Sequence, residues 1–338
     1  MKKTVKILTL IISLICSVML CCQLVFPGKT LIVTAAERRY VYPGGELIGI
    51  RLRTRGVTVV GTTPFDADDG LADPATQAGI QKGDVLLSIG GEEIDSNAEL
   101  TQLIEDSNGQ TLETVVERNG EELHLFLTPE KTSNTGLYKG GLWVRDSAAG
   151  IGTLTFSDPV TGRIATLGHG IYDSDTEALL EVSQGEIYTA SVTGITRGTP
   201  GMAGEIGGRI NETSLGSVDE NSVRGVYGDV YLIENAREQV PVAAKSEVEV
   251  GAAQVICTVF DGEKQTYDIE ITRLHTGSGE NGMTIKITDT ALLAATGGII
   301  QGMSGSPILQ NGRLVGAVTH VFVNDPKSGY AIYAEDML

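Results

Sequence analysis

The sequence predicts a mainly β protein with two folded domains behind an apolar N-terminal segment, and three observations lead there. Glycine supplies 43 of 338 residues while aromatics make up only 5%, a composition of many turns between short strands. Runs of β-type residues, among them Ile151 to Phe156, Ser246 to Phe260, Thr266 to Arg273 and Met283 to Ile287, recur at the spacing of a sandwich or barrel. Helix signals are few, and the best of them falls in the first third of the chain. The length suits two or three domains, enough to bury a full core.

Composition also excludes functions. Lys and Arg total 25 against 43 Asp and Glu, a formal charge of −18 that repels phosphate backbones, so no nucleic-acid partner is expected. Cys16, Cys21 and Cys22 lie in one apolar stretch and Cys257 stands alone, which leaves no intramolecular disulfide framework for the soluble part. No Cys and His pair has metal-ligand spacing, so neither metal nor organic cofactor is expected.

The first 30 residues read as a membrane anchor or signal segment. Lys2, Lys3 and Lys6 precede an apolar run from Ile7 to Phe26, closed by Pro27, Gly28 and Lys29. As a helix this run would be ~30 Å long, the thickness of a bilayer core, which predicts an uncleaved transmembrane helix with its lysine-rich end in the cytoplasm. The rivals are a cleaved signal, with Val33, Thr34 and Ala35 as a small-residue site before Ala36, and a weaker lipobox at Cys22. Each of them exports the remainder.

Residues 40–130 read as a small α+β domain. Ser96 and Glu99 form a capping box, and Leu100, Leu103 and Ile104 give the following helix an apolar face that Asn108-Gly109 ends. Thr114 to Arg118 and Glu121 to Leu127 flank Asn119-Gly120, a strong hairpin signal. Leu47-Ile48-Gly49-Ile50 resembles the carboxylate-binding loop of PDZ domains, and the stretch from Ala78-Gly79-Ile80 through Gly83-Asp84 to Gly90-Gly91 resembles their bacterial protease-associated kind. That resemblance implies capture of a peptide strand or C-terminus by backbone N–H groups at Leu47, Ile48, Gly49 and Ile50. A PDZ domain that only packs on its neighbour is the plainer alternative.

A polar linker, Glu130 to Gly136, leads to a second domain at 137–338. Its most informative string is Gly302-Met303-Ser304-Gly305-Ser306-Pro307, followed by strands on either side of Asn311-Gly312. Glycines framing Ser304 let the backbone fold sharply, project the hydroxyl, and turn the N–H groups of Gly302 and Ser304 toward one point as an oxyanion hole. The string resembles the G-D-S-G-G-P turn of chymotrypsin-like proteases, with Met303 and Ser306 as departures, and implies their double β-barrel. A nucleophilic serine needs a base. His169, in Leu167-Gly168-His169-Gly170-Ile171, is the first choice because His precedes Ser as in that template; His320 is the rival, while His275 reads as exposed and His124 belongs to the first domain. Asp229, Asp261, Asp268 and Asp289 all qualify by order as the acidic member, and spacing does not choose.

Taken together, the N-terminal segment, the PDZ-like domain placed before the catalytic one, the His169 motif, Gly204-Glu205-Ile206-Gly207, Thr288-Asp289, the Ser304 turn and Gly316-Ala317-Val318-Thr319-His320-Val321 resemble the SpoIVB-type peptidases, serine proteases of sporulation. The resemblance implies Ser304 as nucleophile, His169 as base and Asp289 as acidic member. It also implies a self-cleaving signalling endopeptidase in the forespore intermembrane space, cutting a membrane-associated regulator to trigger intramembrane processing of a mother-cell sigma factor. A PDZ-bound peptide or a second copy would be its other partner. Nothing in Thr296 to Gln301, the approach to Ser304, suggests a preference for basic substrates. The alternative of another class is a catalytically degenerate, secreted PDZ scaffold, favoured by Met303 and Ser306.

Overall fold

A computed structural model describes residues 38–229, 238–260, 262–277 and 279–338. The apolar run 7–26, expected to cross a membrane, lies outside the described residues; among these, no helix is long and apolar enough to do so.

The described chain opens with β1 (Tyr40–Pro43) and the long β2 (Leu47–Thr62). Beyond β2 a small domain is built from α1 (Pro74–Gln77), β3 (Val85–Ile89), α2 (Asn97–Asp106), β4 (Leu112–Arg118) and β5 (Glu121–Leu127). Helix α2 starts as its sequence dictates. Ser96 Oγ accepts the Glu99 N–H at 3.2 Å and Glu99 Oε2 accepts the Asp95 N–H at 3.0 Å, while Leu100 and Ile104 form the buried face. Asn119 and Gly120 turn β4 into β5 with φ of 55° and 79°, the left-handed pair of a tight hairpin. Arg118 reaches back to buried Asp84 through Nε at 2.6 Å and Nη2 at 2.7 Å, a two-pronged pairing that fixes the Gly83-Asp84 turn. Val57, Leu86, Ile89, Leu100, Ile104 and Val116 share this domain's core.

The chain returns along β6 (Leu142–Ser157), after a short hairpin in place of the expected linker in which Lys131 pairs with Tyr138. β6 lies antiparallel to β2 from Leu142↔Thr62 to Thr153↔Leu47, and the ladder is irregular between Arg145 and Ser147, where one domain gives way to the next. This two-stranded ribbon carries the small domain as an insertion. The expected division at 130 is therefore corrected: Leu47 to Thr54 pair within the sheet of the larger domain, and the small domain runs from Val57 to Arg145.

The larger domain has two β lobes. The first adds β7 (Arg163–Thr166), β8 (Val182–Thr196), β9 (Glu205–Val218) and β10 (Gly225–Asp229), in the order β10-β7-β6-β2-β8-β9. This sheet curls until its edges meet, where the Asp219 N–H donates to the Tyr227 carbonyl at 3.1 Å. Ile48, Ile50, Leu52, Ile164, Ile187 and Val226 fill it. The second lobe comprises β11 (Gly251–Thr258), β12 (Lys264–Leu274), β13 (Met283–Ile287), α3 (Thr290–Thr296), β14 (Pro307–Gln310), β15 (Arg313–Phe322) and β16 (Asp325–Tyr333). Its six strands close in the order β11-β12-β13-β16-β15-β14 around Val255, Ile271, Met283, Ile285, Ile308 and Val318, all fully buried. Val41, Phe156 and Ala165 of the first lobe meet Leu314, Ala317 and Ile332 of the second, an apolar seam. The mainly β class holds, with the α+β domain nested in the first lobe instead of preceding it.

Candidate active site

Ser304 lies in two consecutive tight turns ahead of β14, in which the Met303 N–H donates to the Ile300 carbonyl at 3.1 Å and the Ser306 N–H to the Met303 carbonyl at 3.0 Å. Gly305 has φ +91°, and a Cβ there would stand 2.2 Å from the Thr153 carbonyl oxygen and 2.5 Å from the Leu167 nitrogen, so the turn admits only glycine. Met303 and Ser306 are both fully buried. They therefore pack the underside of the turn and leave its outward face alone. The N–H groups of Gly302 and Ser304 donate no hydrogen bond among the described residues, which keeps both available to a developing oxyanion.

Thr153 of β6, which sequence reasoning missed, holds this turn from the first lobe. Its N–H donates to the Ser304 carbonyl at 3.0 Å and its Oγ1 to the Gly302 carbonyl at 2.8 Å, while its own carbonyl accepts the Leu167 N–H at 3.4 Å. One buried residue thus ties the serine turn to the histidine turn. In the latter, Leu167 and Gly168 both have positive φ, 64° and 71°, an uncommon state for leucine that redirects the chain just before His169.

His169 and Ser304 line one cavity of about 490 Å³ between the lobes, together with His320 and Thr319. The His169 Nδ1 stands 2.8 Å from the Gly170 carbonyl, which can only accept, so Nδ1 carries the proton and Nε2 keeps its lone pair for use as a base. The His320 ring packs on it with centroids 4.7 Å apart. Burial pushes the His169 pKa down, the Gly170 carbonyl pushes it up and His320 adds to the fall; the result lies below the ordinary imidazole value. Ser304 Oγ donates to the Thr319 carbonyl at 2.8 Å, and no hydrogen bond joins it to His169.

Asp289 is a correction to the expected triad. It is the N-cap of α3, with Oδ1 accepting the Leu292 N–H at 2.8 Å, and it neither lines the cavity nor bonds His169. A helix start needs such an acceptor, and that need accounts for an Asp at this place. Its charge bears instead on Cys257, whose thiol burial pushes up to about 12 with Asp289 adding to the rise. Asp229 lies 3.7 Å from Arg163, Asp268 accepts from Gln254 at 3.5 Å, and Asp261 is outside the described residues. In this arrangement the Gly170 carbonyl orients the imidazole. His124 bonds Glu113 and His275 bonds Thr284, both away from the cavity.

Leu47, Ile48, Gly49 and Ile50 are the second correction. Each pairs with β6 on one side, Ile48, Gly49 and Ile50 also pair with β8 on the other, and Ile48 and Ile50 are buried, so their backbone has no edge for a peptide. The groove of the small domain lies elsewhere, a cavity of about 420 Å³ between α2 and residues 138–144, lined by Leu100, Ile104, Gly140, Gly141, Leu142 and Trp143. The sequence carried a signal for it, since Gly140-Gly141-Leu142-Trp143-Val144 is itself a glycine-framed apolar run; Leu47 to Ile50 drew the assignment by lying at the expected N-terminal end.

The segment after His169 is anchored at the junction with the insert. Arg145 on the ribbon donates Nη1 to buried Asp173 at 2.6 Å and Nη2 to Asp175 at 2.7 Å, and Lys82 of the small domain lies 3.8 Å from Asp175. Burial pushes the Asp173 carboxyl up, but the Asp175 and Thr176 N–H groups and Arg145 outweigh it and hold the group below the usual range.

Comparison with known proteins bears on this arrangement. The chain is 28% identical over 96 residues to a putative zinc metalloprotease of Treponema pallidum (strain Nichols), covering 28% of this chain and 21% of that protein. It is 34% identical over 58 residues to serine protease HTRA1 of Xenopus tropicalis, covering 17% and 12%. The chain thus spans about a fifth or less of the length of these relatives. Among solved structures, the Rv3671c protease from M. tuberculosis in its active form aligns with 56% of this chain and 71% of its own, at 16% identity and a TM-score of 0.35. A PDZ domain model matches residues 73–118, inside the nested domain. The model of the SpoIVB peptidase S55 family matches residues 136–338, more than half of the chain and both walls of the cavity that holds Ser304 and His169, and to that family of serine endopeptidases the chain belongs.

Proposed function

We propose that Ser304 is the nucleophile and His169 the general base of this endopeptidase, in a membrane-anchored signalling enzyme of sporulation. The observation that carries the assignment is the meeting of a glycine-framed serine and a histidine with a bare Nε2 in one cleft. Ser304 Oγ leaves the Thr319 carbonyl, gives its proton to His169 Nε2 and attacks the substrate carbonyl; the Gly302 and Ser304 N–H groups hold the oxyanion. His169 then returns the proton to the leaving amine, and water resolves the acyl-enzyme by the same route. Ser304→Ala and His169→Ala should each lower kcat/KM for peptide cleavage by roughly four orders of magnitude with the thermal midpoint unchanged. Asp289→Asn, which keeps a capping oxygen, should retain activity within about tenfold. Full activity in either of the first two variants sinks the assignment, and loss in Asp289→Asn restores the acidic role.

The wider reading rests on family membership and on the lysine-flanked run 7–26, which supports retention at the membrane with the catalytic part outside the cytoplasm. There the enzyme cleaves itself and a membrane-associated regulator, and so releases intramembrane processing of a mother-cell sigma factor. The groove between α2 and residues 138–144 takes a peptide strand or a segment of a second copy. Wild-type and Ser304→Ala alleles compared in sporulating cells test this: the regulator should be cut only with the former, and normal sigma-factor processing with the latter would refute the pathway.

A further inference from the structure

The cleft beside Ser304 also says which side chains it accepts, on the reading of Ser304 as nucleophile. Two segments adjoin the hydroxyl. One is the approach to the turn, Ile299 to Gly302, and the other is the β15 stretch Thr319 to Val321, whose Thr319 carbonyl it touches at 2.8 Å. A substrate residue whose carbonyl is attacked must place its side chain between them. The first lobe lines the cavity with Ile50, Ile151, Leu167 and Ile171 and with the small residues Ala148, Ala149 and Gly150.

The lining contains no Asp, Glu, Lys or Arg, although the chain carries 43 acidic and 25 basic residues. Its titratable groups besides Tyr172 are His169 of the first lobe and His320 of the second, and burial lowers the pKa of the former. A lysine or arginine entering here would meet no carboxylate, and an aspartate or glutamate would meet no fixed cation. Either would lose hydration with no opposite charge in return. An aliphatic side chain would exchange water for branched apolar walls. We propose that this cleft is an acyl-side subsite for uncharged aliphatic residues, valine, isoleucine, leucine or methionine, with Val321 as one of its determinants.

The test uses the full-length protein and a panel of quenched peptides identical except at the residue preceding the cleaved bond. Aliphatic members should exceed Lys, Arg, Asp and Glu members by about 100-fold or more in kcat/KM. Val321→Asp, checked for an intact thermal transition, should bring the Lys peptide up by about tenfold or more relative to the Leu peptide. A strict Lys, Arg or acidic preference that vanishes in Ser304→Ala overturns the subsite and leaves the nucleophile standing. A Val321→Asp protein that folds and discriminates as the wild type overturns the placement of the subsite. Cleavage that survives in Ser304→Ala overturns the nucleophile, and the subsite built around it falls as well.

Discussion

His169 is set by neighbours whose effects on its proton differ in sign. Burial and the His320 ring favour the neutral form, and the Gly170 carbonyl favours the charged one while fixing the tautomer. With His169 as the proposed base, the neutral imidazole is the working form, so a lowered pKa extends activity toward acid. The acid limb of kcat/KM should fall below about pH 6.5, the ordinary imidazole value. His320→Gln removes a ring whose charge opposes that of His169 and should move the limb upward. A limb well above 6.5 in the wild type, or a downward move in the variant, would contradict this geometry. Sequence order singled out His169 and Ser304, and the fold brings both to one cavity. It did not reveal that a backbone carbonyl orients the imidazole, because a carbonyl has no residue identity to read. The acidic role of Asp289 came from resemblance alone: fifteen residues before the serine, it is in space the N-cap of α3 and lies off the cavity.

Single elements carry more than one task. β6 begins in the PDZ domain, crosses into the first lobe and there presents Thr153 to both the serine turn and the histidine turn. Thr153→Val keeps the shape and removes the hydroxyl that holds the Gly302 carbonyl. It should lower kcat by about tenfold with KM nearly constant, since the oxyanion donors loosen while substrate contacts remain. Thr153→Ser should restore kcat, and a change confined to stability, or to KM, would show Thr153 to be ordinary packing. Capping boxes, Asn-Gly hairpins and the glycine-framed turns were legible because each is a local contest between a few backbone groups. Strand β2 was not, because alternation reports a buried face and says nothing of which sheet buries it. Leu47 to Ile50 belong to one domain and Val57 to Thr62 to another within a single unbroken strand.

At the scale of the molecule, the sequence separated the two folded domains but read as consecutive what is nested, and drew the border in the wrong place. The larger domain begins at β1, is interrupted, and resumes along β6, so a linear cut at 130 divides a sheet. Residues 55–146 hold the complete PDZ core and the edge strand Leu142 to Arg145, whereas 40–130 lacks that strand and exposes the lobe strands. The former fragment should unfold cooperatively in thermal circular dichroism and the latter should not. Joining Arg53 to Ser147, which are paired neighbours, through Asn-Gly should also leave a folded peptidase able to cut short peptides. Cooperative unfolding of 40–130 with none in 55–146 would reverse this partition.

Because the insert hangs from two adjacent strands, both of its ends are woven into the same lobe. A nick at one of its outer loops, such as Asn108-Gly109, would give two polypeptides on a denaturing gel and still a single particle in native mass measurements. A cut inside this region would then change how the module behaves without ever letting it leave.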